Sequence, residues 1–193
     1  MTVASPTPEG DQRLFIYRLN ARDEIIFVND EWYDFARENG AQELDRQSVL
    51  QKSLWDFIDN AETRHLFEII LTKVRTEGRP KVIPYRCDTP GLRRFMELEV
   101  RLAEDGMVEF RSRIVREERR ESVRLMELDV ERSDELLCMC SWCKRVSLPE
   151  ARWVEVEEAV EELRLFEATI LPKVSHGICP ACLASFDYQL AEL

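Results

Sequence analysis

The sequence has no run approaching the roughly 18 apolar residues that a membrane-spanning helix needs. Its first ten residues, Met1 to Gly10, carry neither the positive stretch nor the apolar core of an export signal. The expectation is a cytoplasmic protein that does not contact a membrane. Basic charge is scarce as well: 27 Lys and Arg stand against 38 Asp and Glu, a net charge of −11. Nucleic-acid binding draws most of its affinity from Lys and Arg neutralising phosphates, so a polyanion partner is excluded and a protein partner is expected. No kinase motif set, receiver-like acidic cluster or DNA-reading helix is legible, nor any internal repeat. No catalytic residue is assigned, the chain is not expected to be an enzyme, and any signal must pass by contact.

What is present is enough for a packed core. With 193 residues, 45% of them hydrophobic, the chain can form one full domain and a smaller appendage. Six cysteines in a chain without an export signal point to metal or redox use rather than to structural disulfides. Four of them form two Cys-x-x-Cys pairs, Cys140 with Cys143 and Cys179 with Cys182. Each pair lets a tight turn aim two thiolates at one cation, and two pairs complete a closed tetrahedral zinc site. A closed all-cysteine site is structural and stabilises folding directly. Cys138 and His176 lie beside these pairs and are the alternates, as replacement ligands or as hydrogen-bond donors to a ligand sulfur.

A dithiol redox centre is the competing reading, a thiol-disulfide redox sensor or enzyme using the same pairs. It needs a thiolate of lowered pKa at a helix N-terminus in a thioredoxin-like setting. Cys179-Pro180-Ala181-Cys182 opens a helix, but the parallel-sheet pattern is missing.

Along the chain, residues 1–12 carry Pro and Gly without apolar periodicity and are expected to form a disordered arm. Leu14 to Leu19 and Glu24 to Val28 read as an antiparallel hairpin around the polar turn Asn20 to Asp23. A short helix follows from Asn29-Asp30 to Asn39-Gly40, one more helical turn spans Ser53 to Ile58, and the longest helix runs from an Asn60 cap to Gly78. From Pro80 the period changes to two, predicting strands at Lys81 to Cys87, Arg93 to Leu102 and Met107 to Val115. This order gives an α+β fold, a five-stranded antiparallel sheet with helices on one face, over residues 13–116.

Residues 117–136 are dense in charge, with Val123, Met126 and Val130 at coiled-coil spacing; they are expected to be a charged linker, either a solvated helix or tether or a signal-transmitting dimer helix. Residues 137–193 form the four-cysteine zinc-binding module, a small αβ unit. In it, Arg152 to Val156 reads as a strand, Val156 to Leu163 as an acidic helix, and Pro180 to Leu190 as a final helix.

Two stretches carry a resemblance. Tyr17-Arg-Leu-Asn20, Ile25-Ile-Phe-Val-Asn29 and Leu54-Trp-Asp-Phe-Ile58 resemble the opening hairpin of a PAS sensor domain and the segment before its long helix. Residues Cys140-Ser-Trp-Cys-Lys-Arg-Val146, Trp153 with Glu157 and Glu158, and Ser175-His-Gly-Ile-Cys-Pro-Ala-Cys182 resemble a bacterial cysteine-rich tail found after PAS and response-regulator domains. Ser147-Leu148 departs from the Arg-Asp that often follows the first knuckle of that tail, and the loop before the second knuckle carries its own insertion. The resemblance implies a sensory protein that senses a ligand or mediates protein contact, homodimeric through the PAS domain or the linker. In haem-binding sensors of this fold the proximal histidine lies on the long helix, which makes His65 the residue that a haem would use. The motif of flavin-binding photosensors does not occur. Arg86-Cys87-Asp88 with Arg93-Arg94 could hold an anionic ligand or a partner loop.

Overall fold

A computed structural model describes residues 13–191, with the side chains of 187–191 outside the description. The arm expected at residues 1–12 and the side chain of Leu190, expected on one face of the final helix, therefore lie outside what is described.

The first sheet is built from β1 (Leu14–Leu19), β2 (Ile25–Val28), β3 (Lys81–Arg86), β4 (Leu92–Leu102) and β5 (Val108–Arg119), in the order β2-β1-β5-β4-β3 and antiparallel throughout. Helices α1 (Asp30–Glu38), α2 (Arg46–Val49) and α3 (Ala61–Glu77) occupy the connection between β2 and β3, with a 3-10 turn at Leu54–Phe57. The α+β sheet with helices on one face is thus the arrangement expected from the sequence.

Local chemistry sets these boundaries. Asn29 accepts from the Trp32 amide at the start of α1, while its amide group donates to the Leu14 carbonyl, so one side chain ties helix to hairpin. Asn60 caps α3 by accepting from the Thr63 amide, and Gly78 at φ 67° ends it in the left-handed conformation that a side chain disfavours. Leu66, Ile70, Leu71 and Val74 of α3 then lie over Leu19, Val100, Val108 and Phe110 of the sheet.

The opposite face of the sheet carries cross-strand ion pairs. Arg18 and Arg101 both bond Glu109, which is 2% exposed, and Arg113 bonds Glu97 across β4 and β5. Opposite charges set directly across a ladder favour this register.

The second sheet, β6 (Arg132–Cys140), β7 (Val146–Leu148), β8 (Arg152–Val154) and β9 (Leu171–Gly177), has the order β8-β7-β6-β9. Here β6 and β9 run parallel. A parallel pair requires a crossover of a dozen or more residues, and β7, β8 and α4 (Val156–Glu162) fill it. Helix α5 (Pro180–Ala191) follows β9.

The charged stretch is not a helix. β5 continues to Arg119, with Arg94 paired to Glu117, and a 3-10 turn at Arg124–Met126 leads to β6. Val123 and Leu125 are buried with Met139, Val146 and Ala159 in the core of the second sheet. Val123 and Met126, two of the three residues spaced for a dimer seam, instead pack in this chain's own interior, so a transmitting helix is corrected to a packed connection.

Candidate metal centre

The two Cys-x-x-Cys turns meet because their strands are parallel neighbours. Cys140 at the end of β6 is in register with Gly177 at the end of β9, so both turns leave the sheet at the same edge. The Ser141 amide donates to the Gly177 carbonyl at 2.9 Å, joining the first turn to the second. Lys144 closes the first turn at φ 62°, with its amide bonded to the Cys140 carbonyl and its ammonium to the Ser141 carbonyl.

The Sγ atoms of Cys140, Cys143, Cys179 and Cys182 all lie within 4.8 Å of one another, and no disulfide links them. Cys143 and Cys179 are 3.6 Å apart. Four sulfurs about 2.3 Å from a tetrahedral zinc stand roughly 3.8 Å apart, so the set fits that ion. The Cys179 amide points at the Cys140 sulfur and the Cys182 amide at the Cys179 sulfur, each at 3.4 Å. Such bonds stabilise thiolate, the form that binds metal.

Cys140, Cys143 and Cys182 hold their protons unequally. Hydrogen bonds from Cys143 and Cys182 pull the Cys140 thiol far below its ordinary value. The bond to Cys140 pushes Cys143 up to about 12, and bonds to Cys140 and Cys143 push Cys182 up as well. Sulfurs this close cannot all carry a negative charge unaided. A divalent cation removes the conflict.

The alternates lie elsewhere. Cys138 is outside the cluster: its sulfur sits against Gly177, where an added Cβ would meet it at 3.0 Å. His176 has an exposed side chain on β9, and its carbonyl accepts from the Asn60 amide group at 2.6 Å. His176 thus joins the metal turn to the cap of α3 through its backbone.

Sequence reasoning missed Trp142, one of the two residues between Cys140 and Cys143. It is 5% exposed and is part of the core formed by α3 and the five-stranded sheet. Its ring lies 5.8 Å from Phe67, 6.3 Å from Tyr85 and 4.5 Å from Phe186, and its carbonyl accepts from the Arg86 amide at 2.7 Å. A large aromatic in a metal turn was the available signal.

Phe67 also lines an apolar cavity of about 230 Å³ between the helices and the sheet, with Tyr17, Val28, Trp32, Leu54 and Ile58. His65 does not line it. The His65 side chain is 71% exposed beside Glu68, and the cavity falls below the roughly 300–1,000 Å³ of ordinary ligand pockets. The haem expectation for His65 has no support in this geometry.

The basic cluster is filled by the chain itself. Arg86 bonds Asp88 and Glu155, while Arg93 and Arg120 bond Glu157. Glu155 and Glu157 belong to the start of α4, so these pairs lock the second sheet onto the first.

Together these features define an α+β protein with a helix-covered antiparallel sheet and an attached four-cysteine cluster. No protein-family model and no curated protein matches the sequence. Among solved structures, the chain is similar to a sensory box sensor histidine kinase from Vibrio cholerae, at 13% identity and TM-score 0.39 over 54% of this chain and 84% of that one. It is also similar to the PAS domain of BvgS from Bordetella pertussis, at 18% identity and TM-score 0.37 over 52% and 71%. A third likeness is to a domain of an HTR-like protein from Haloarcula marismortui ATCC 43049, at 16% identity and TM-score 0.36 over 53% and 98%. No described helix is long and apolar enough to cross a membrane.

Proposed function

We propose that the chain is a sensory protein in which a PAS-type domain reads a small apolar ligand or a protein contact, and a structural zinc site fastens a partner-docking module to it. The observation that carries this reading is the position of Trp142. Ligating cysteines flank it, and its ring packs on Phe67, a wall of the apolar cavity. Filling the cavity and arranging the metal turn therefore bear on the same side chain.

Cys140, Cys143, Cys179 and Cys182 would hold the ion, which supplies four-point crosslinking rather than chemistry at an open coordination position. Metal analysis of protein purified without added zinc tests the reading. The expected result is about one zinc per chain, lost in Cys179→Ser together with a lower melting temperature for the whole chain. Metal-free protein whose four thiols react rapidly and reversibly form disulfides would replace it with the redox reading.

A further inference from the structure

We propose that the groove between α4 and the segment Glu121 to Leu125 is a docking site for a basic amphipathic helix of another protein. This rests on the reading above, that the metal-fastened module docks a partner, and names the place and the partner's chemistry.

The groove encloses about 370 Å³. One wall is the α4 face of Glu157, Val160 and Glu161, which share a side because they are three and four residues apart. The facing wall is 121–125, and Leu165, Phe166 and Leu171 close the end. The core beneath is complete, since Val123, Leu125 and Ala159 are already buried there. Yet Phe166 remains 59% exposed, and Ile170 beside Leu171 is 46% exposed. A large apolar surface left in water beside a packed core is a surface that gains by being covered.

The charge around it selects the occupant. Glu157 is neutralised by Arg93 and Arg120, but Glu121 and Glu161 have no ion-pair partner among the described residues. The one cation of the groove, Arg124, donates to the Ala168 carbonyl at 3.1 Å. An apolar floor under two unneutralised carboxylates, on a chain of net charge −11, suits a helix with Leu or Phe on one face and Lys or Arg one turn away. A second copy of this chain would bring the same carboxylates and be repelled.

The test is fluorescence anisotropy on the full zinc-loaded chain, with a labelled helical peptide of about twelve residues carrying a leucine stripe flanked by lysines one turn away. Phe166→Ala and Glu161→Lys alter exposed side chains outside the core, and circular dichroism with zinc content verifies that both stay folded. Each is expected to weaken binding at least tenfold, roughly, and a peptide with serine for leucine should not bind. The proposal is overturned if both variants bind within about twofold of wild type, or if the serine peptide binds equally, which would make the contact general charge attraction. Dimerisation of the unmodified chain that Phe166→Ala abolishes would also overturn it, giving the groove to a second copy. Zinc content is read in the same samples, so failure of the groove is distinguishable from failure of the metal site.

Discussion

At the scale of single residues, Trp142 and Glu109 show how much depends on position within the fold. Trp142 fills space among Phe67, Tyr85 and Phe186, and none of the three can close over a void of that size. Trp142→Ala should cost about 3–5 kcal/mol, read as a fall in melting temperature, with the four thiols still present to bind zinc. Retention of the full melting temperature would show that the ring is not part of the core. Glu109 is buried, which by itself would raise its pKa, but hydrogen bonds from Arg18 and Arg101 outweigh that and hold it below its ordinary 4.5. A carboxylate depressed in the folded state adds stability above its unfolded pKa, and that stability is lost as pH falls through the folded value. Between pH 7 and about 3, unmodified protein should therefore lose more melting temperature than Glu109→Gln. Acid would also release a metal held by the cysteines by protonating thiolates, but both proteins carry the same four cysteines, so the difference between them isolates the carboxylate.

At the scale of elements, α3 was legible because its ends are chemical: Asn60 accepts at one and Gly78 turns left-handed at the other. The same Asn60 has a second duty that no sequence pattern carries, donating to His176 on β9. Asn60→Asp keeps the acceptor that caps the helix and loses the donor, whereas Asn60→Ala loses both. The alanine variant should be destabilised by about 1–2 kcal/mol, and the aspartate variant by a smaller amount that reports the tie to β9. Equal losses in thermal unfolding would mean that the tie contributes nothing. β6 and β9 were not legible for a related reason. Arg132 to Glu135 and Lys173 to His176 show no clean alternation, and their pairing joins residues about 40 apart in sequence, for which a local period gives no signal. The Cys-x-x-Cys spacing singled out the four cysteines that cluster because each pair is local. The 35 residues between the pairs became intelligible only as the crossover of a parallel pair.

At the scale of the whole molecule, the five-stranded sheet and the four-cysteine module share an interior. Cys140, Trp142, Cys179 and Phe186 belong to the same buried cluster as Leu19, Ile70 and Phe110. A second layer of contact is ionic, with Asp88 fully buried between Arg86 and Arg120, and Arg86 reaching on to Glu155 at 2.6 Å. Removing one partner of a buried charge pair costs far more than the pair contributes, because the remaining charge is stranded. Neither module can then leave the other without exposing aromatic surface and unpairing buried charge. The consequence is cooperative unfolding: calorimetry should give one transition whose calorimetric and van't Hoff enthalpies agree, and EDTA should lower that single melting temperature rather than melt the tail alone. Two resolved transitions, with only the lower one moved by EDTA, would mean that the modules merely touch. A single transition would make the four-cysteine cluster a determinant of the five-stranded sheet's own stability, the physical condition under which occupancy of the proposed cavity and of the proposed groove could influence each other.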